Sequence, residues 1–187
     1  VMESTGKCYR IIVNPDTEEI RIKGEFKLPG LSESMNLEGL TLSESNGVLK
    51  VFYGDRGSDS RPSTLFFADY NVKQNDITVV RSYSFSLLES MSDKRNIADL
   101  VFDKKGNLWS AATSDPGNDG PFETRLFRVG KMSKEGSFSI TRPMKSSKTF
   151  ENEKVEAITT YKSGILLLTD NENLGSSRYF IRINKLL

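Results

Sequence analysis

Histidine is absent from this chain, and cysteine and tryptophan occur once each. Without histidine, no Ser-His-Asp triad, Cys-His pair or histidine-ligated zinc can be assembled. Any catalysis must run on carboxylates, hydroxyls, lysine, arginine or an oxygen-bound metal. The lone Cys8 excludes an internal disulfide and lies in CYRIIV, which reads as a strand that buries it. No apolar run approaches the roughly 18 residues that a membrane-spanning helix needs, and the first residues lack the basic-then-apolar layout of a signal peptide. Charge of one sign is also missing: 26 Lys and Arg stand against 25 Asp and Glu. No global field therefore favours a nucleic acid or an anionic membrane, and neither is expected as a partner.

What is present is one pattern stated three times. Residues 36–55 read NLEGLTLSESNGVLKVFYGD, residues 96–115 NIADLVFDKKGNLWSAATSD and residues 154–175 KVEAITTYKSGILLLTDNENLG. Each has a half-buried strand, a turn with glycine, an apolar strand and an acidic exit. Gly47, Gly106 and Gly164 mark the turns, 59 and 58 residues apart. An all-strand repeat of this length is the signature of a propeller blade. Segments 37–43, 97–102 and 155–160 are expected as equivalent inner strands, paired with 49–53, 108–112 and 165–169. Outer pairs are read in STLFFADY with ITVVRSYSF, in TRLFRVGKM with SFSITRPM, and in the opening CYRIIV and IRIKGEFK, while SRYFIRIN adds a third strand to the last repeat. Segments 54–63, 89–95, 115–123 and 144–153 read as loops. The expected fold is all-β, a β-propeller of four-stranded antiparallel blades. About three and a half blades are counted over 1–187, one propeller domain read as an incomplete ring and a fragment of a longer propeller. VMESTG fits the end of an inner strand. Such a piece is expected to expose apolar faces on its first and last sheets and to self-associate.

Ligands of a propeller meet the mouth formed by loops that enter and leave the inner strands. Glu38 and Glu156 head two inner strands in matching register, while Asp99 stands one position later, with Ala98 in the matching place. A one-residue offset turns a strand side chain to the other face. A carboxylate heading an apolar strand has to be solvated, paired or metal-bound; as a metal set, Glu38, Glu156 and Asp99 suit calcium, a hard cation. Asp55, Asp115, Asp170 and Glu172 form a second acidic set, read either as turn chemistry or as ligand contacts. In YGDRGSDSRPS, Arg56 and Arg61 flank Asp55, Ser58 and Asp59. This loop either holds local ion pairs or grips a phosphate or carboxylate of a small-molecule or phosphorylated ligand. The outer-strand aromatics, among them Phe66, Phe67, Phe127, Tyr179 and Phe180, read as packing between blades. Ser4, Ser45 and Ser114 lack the GxSxG context of a nucleophile elbow.

The residues Lys154, Glu156, Ile158, Leu166, Leu167, Leu168, Asp170, Asn171 and Gly175, with Glu38, Gly39 and Leu40, resemble the blade pattern of bacterial esterase-like and phytase-like propellers. Similar Glu-Gly strands occur in the SdiA-regulated, NHL and lactonase-like groups. The resemblance implies a periplasmic or secreted, ligand-binding or weakly hydrolytic protein, with calcium as its cofactor. The alternative is a non-catalytic module that contacts protein or carbohydrate. Departures from the pattern bear on catalysis: Ala157 replaces its glycine, Ala98 its glutamate, and the histidines of many hydrolytic propellers are missing. Fold alone does not give function.

Overall fold

The hairpins expected from the repeat form, each with a turn chemistry of its own. The computed structural model describes residues 1–58, 60–88 and 91–186; Asp59, and Glu89 and Ser90 of two expected loops, lie outside the described residues. Strand β1 (Lys7–Val13) pairs with β2 (Ile20–Lys27), and β3 (Leu37–Ser45), β4 (Val48–Asp55), β5 (Ser63–Asn71) and β6 (Asp76–Phe85) follow as one antiparallel sheet in chain order. A third sheet holds β7 (Lys94–Arg95), β8 (Leu100–Phe102), β9 (Asn107–Ser114), β10 (Glu123–Met132), β11 (Phe138–Ile140) and β12 (Ser146–Glu151). The fourth runs β13 (Val155–Tyr161), β14 (Gly164–Thr169), β15 (Arg178–Arg182). Met2 bridges antiparallel to Cys8, beside β1.

Three turns solve the same problem differently. Asn46 and Gly47 both have positive φ, 52° and 75°, the mirror-image hairpin turn that Asn-Gly favours. Asp103 closes the β8–β9 turn with its side chain, and Gly106 at φ 79° leaves no room for a Cβ, which would stand 2.8 Å from the Met132 carbonyl oxygen. In the third hairpin the left-handed position falls on Lys162, φ 51°, and Gly164 instead opens β14, where the Phe180 ring lies against it.

Three expectations are corrected. The inner strand expected over 97–102 is split. Only 100–102 is strand, because the Asp99 carboxylate takes the Leu100 N–H (2.7 Å) and pulls the chain off the ladder. The stretches 89–95 and 144–153, read as loops, contain β7, which pairs with β9, and β12. Strands β11 and β12 both pair with β10, β12 along 123–127 and β11 along 130–132, and Pro143, which has no N–H to donate, lies between them.

Alternation sends successive side chains of each strand to opposite neighbours, so three cores lie between four sheets. Cys8, Val51, Tyr53 and Phe66 fill the first; Phe52, Leu65, Phe67, Leu108 and Phe127 the second; Trp109, Leu126, Ile158, Ile165 and Leu167 the third. Cys8 is buried as expected, and burial pushes its thiol up to about 11. Phe52, fully buried, has the rings of Phe67, Phe102 and Phe138 at 5.3, 4.9 and 5.1 Å, an anchor of roughly 2–3 kcal/mol. The register makes Leu166 and Leu168 the counterparts of Phe52 and Gly54. With Tyr161 and Phe180, Leu168 is about half exposed on the far side of the last sheet. Phe180 therefore packs on Tyr161 rather than between sheets. On the first sheet, Ile12, Val13, Ile20 and Ile22 are more than half exposed at one end, among charged neighbours. Among the described residues no helix is long and apolar enough to cross a membrane.

Candidate functional site

The exits of β4, β9 and β14 lie at one end of the strands, and their charged residues interlock there. Arg56, just past β4, donates to Glu38 at the head of β3 (3.3 Å). Arg95 on β7 pairs with Asp115, just past β9. Lys154, immediately before β13, lies 3.3 Å from Glu156 and 3.5 Å from Asp115, and pairs with Glu172 in the short helical turn after β14. One ammonium thus joins three carboxylates from three segments. Its side chain is only 7% exposed. Burial works against its charge, but Glu172, Glu156 and Asp115 outweigh that and hold its pKa above the ordinary lysine value. Lys154 stands at the repeat position of Asn36 and Asn96.

Hydrogen bonds between sheets fix the segment that carries Lys154. Thr124 Oγ1 donates to the Glu153 carbonyl (2.7 Å) and accepts the Val155 N–H (3.0 Å). The side chain of Asn171 accepts the Lys154 N–H (2.8 Å) and donates to Glu153 (2.8 Å). The ammonium is held by its backbone as well as by its partners.

Glu38 and Glu156, the matched pair of the repeat, do face the same mouth. Burial raises the Glu38 carboxyl; Arg56 opposes that, and the charge of Glu156 adds to it. Each carboxylate has a cation of the chain as partner, Arg56 or Lys154, so the arrangement does not fit a calcium ion unless those pairs open. Among the described residues no group of three or more His, Cys, Asp or Glu is disposed to hold a metal.

Asp99 does not join that pair. Its Oδ2 accepts the Ile158 N–H of the next sheet (2.9 Å) and its Oδ1 the Leu100 N–H, so it straps β8 to β13. Burial outweighs both bonds and raises its carboxyl to about 6. The sign is opposite to that of a salt-bridged aspartate. Between 3.8 and about 6 the folded chain holds a proton that the unfolded chain has released, so folding stability gains as pH falls through that window. In urea unfolding from pH 7 to pH 4, the wild type is expected to gain about 2–3 kcal/mol relative to Asp99→Asn. Parallel pH profiles would refute this.

The ligand candidates separate into clasp and mouth. Asp55 is fully buried, pairs bidentately with Arg61 and accepts the Asn36 N–H (2.9 Å). Arg61 also donates to the Ser34 carbonyl (3.2 Å), so this pair closes a loop. Asp170 accepts the Glu172 N–H (3.2 Å) and shapes the turn that presents Glu172. Arg56 remains at the mouth, joined by Lys154 of the repeat motif and by Arg95, which the motif reading did not single out. A cavity of about 330 Å³ opens beside Arg56 and Arg95, lined also by Gly57, Ser58, Ser60, Asp93, Lys94 and Asp115. The guanidinium side chains are 29% and 31% exposed. No protein-family model matches this chain, and no curated protein matches it.

Proposed function

We propose that the chain is part of a β-propeller of four-stranded blades and that its mouth binds a small molecule bearing a carboxylate or phosphate. The observation that carries the reading is the convergence of Arg56 and Arg95, from two successive repeats, on one cavity. Both guanidinium groups are partly exposed, and their carboxylate partners can be exchanged for those of a ligand. The three cores between successive sheets and the common register of the hairpins support the propeller architecture. The blade resemblance of residues 154–175 to phytase-like and esterase-like propellers is in keeping with that architecture.

The experiment is calorimetric titration of citrate and inorganic phosphate into the wild type and an Arg56→Gln, Arg95→Gln double variant. Binding of one anion, weakened at least tenfold in the variant, is expected. Equal affinities, or no binding, would remove the mouth as the site. A second reading, weak hydrolysis, is favoured by Glu38, whose raised carboxyl faces Glu156 in the manner of an acid beside a second carboxylate. It predicts turnover of an aryl phosphate or aryl acetate that Glu38→Gln abolishes. For calcium, the comparison is the melting temperature in excess calcium against chelator, in the wild type and the Glu38→Gln, Glu156→Gln variant. Equal values leave the ion pairs as the counter-charge.

A further inference from the structure

At the opposite end of the same strands lies a cleft of about 490 Å³ whose charged residues are all cations: Lys104, Lys105, Lys162 and Arg182. Ser163 and Asn184 complete its polar lining. The eight residues of β9 separate its lysine turn from the Arg56 mouth, a distance of about 25 Å at the usual rise of a strand. All four cationic side chains are exposed. Among the described residues no carboxylate lies within ion-pair distance of any of them. The neighbouring carboxylate, Asp103, is turned inward. It accepts the N–H groups of Lys105 and Asn107, the Asn107 amide and the Trp109 indole N–H, which leaves it committed to the turn.

Two features show that the cleft is displayed rather than left over. The lysine pair rides on a turn made rigid by Asp103 and by Gly106, and the Ile183 N–H donates to the Ser163 carbonyl (3.2 Å), tying the end of β15 to the third turn. Lys162 also occupies a left-handed backbone position, φ 51°, where the equivalent first hairpin has Asn46. Asparagine tolerates that conformation and lysine pays for it. A cation stands where backbone preference argues against one.

We infer that this cleft binds a small, multiply charged anion of the phosphate ester class. Four cations gathered without counter-charge repel one another, and an anion bridging them relieves that repulsion. The volume is that of a small-molecule site and exceeds what a lone phosphate fills, so an organic body beside the phosphate completes the fit. The inference is independent of the Arg56 and Arg95 mouth.

The test uses the whole chain with pyrophosphate as probe, titrated calorimetrically at 50 and 200 mM salt. With Arg56→Gln, Arg95→Gln as the background, so that the mouth does not contribute, affinity at least tenfold weaker on adding Lys162→Gln, Arg182→Gln is expected, with little change on adding Lys145→Gln, Lys148→Gln, two exposed lysines elsewhere. Absence of binding, loss confined to the Arg56 and Arg95 variant, or equal loss in the Lys145 and Lys148 variant would overturn the inference. Tighter binding to phosphatidylglycerol vesicles or single-stranded DNA than to pyrophosphate would overturn the small-molecule class. Lys162→Asn separates site from scaffold: it should raise the melting temperature by about 2 °C while weakening pyrophosphate. A Lys162→Asn variant with undiminished affinity would refute a binding role for this lysine.

Discussion

Replacing Lys154 by methionine should cost about 3 kcal/mol at pH 7, measured by urea unfolding. The methylene stem would be kept and the ammonium lost. Glu156, Glu172 and Asp115 would then face one another with Arg95 as the remaining close cation, since Lys154 alone pairs with Glu156 and Glu172 among the described residues. The like charges would repel one another. The same vacancy should create a divalent-cation response: calcium should raise the melting temperature of Lys154→Met more than that of the wild type. A deficit below about 1 kcal/mol would place the network with exposed ion pairs, which contribute little.

The second large effect is expected at Asp103. It is 5% exposed, and its carboxylate accepts two backbone N–H groups, the Asn107 amide at 2.7 Å and the indole of fully buried Trp109 at 3.1 Å. Asp103→Ala leaves four donors without that acceptor, and water reaches the inner ones poorly. At about 1–3 kcal/mol for a buried donor left unmade, a net loss of about 4 kcal/mol is expected by urea unfolding. Trp109 is the only tryptophan, so its fluorescence reports the same event, and a red-shifted native spectrum would show water admitted at the indole. Asp103→Asn should recover part of the stability, because its amide oxygen still accepts. A loss under 1 kcal/mol in Asp103→Ala would mean that the turn is held by its backbone alone.

The hairpins could be read from sequence because two local signals agree in them. Alternation changes to an apolar run at Val48, Asn107 and Gly164, and a turn with glycine stands before or at each change. What escaped depends on side chains acting over distance. Asp99 looks like a strand residue until its carboxylate is seen to accept the Ile158 N–H, 59 positions away. The segment SSKTFE of β12 buries only Phe150, so it carries no alternation to detect. At the mouth, matched register brought Glu38 and Glu156 into view, whereas Lys154 is part of the motif but meets Asp115 only when two repeats stand side by side. Its signal was a departure: lysine where the other repeats have asparagine.

Gly39 and Gly54, opposite each other on β3 and β4, set how near the following sheet can come. A Cβ on Gly39 would stand 2.7 Å from Leu100 Cγ, and one on Gly54 2.5 Å from Ile97 Cδ1, so that junction closes only because both side chains are missing. The corresponding residues of the last hairpin are Ala157 and Leu168. Any sheet packed against them would have to hold back or present smaller groups than Ile97 and Leu100. The repeats are therefore not interchangeable modules. Moving the β13–β14 hairpin into the place of β3–β4 would set Ala157 and Leu168 where Gly39 and Gly54 let Leu100 and Ile97 approach, and would jam the junction.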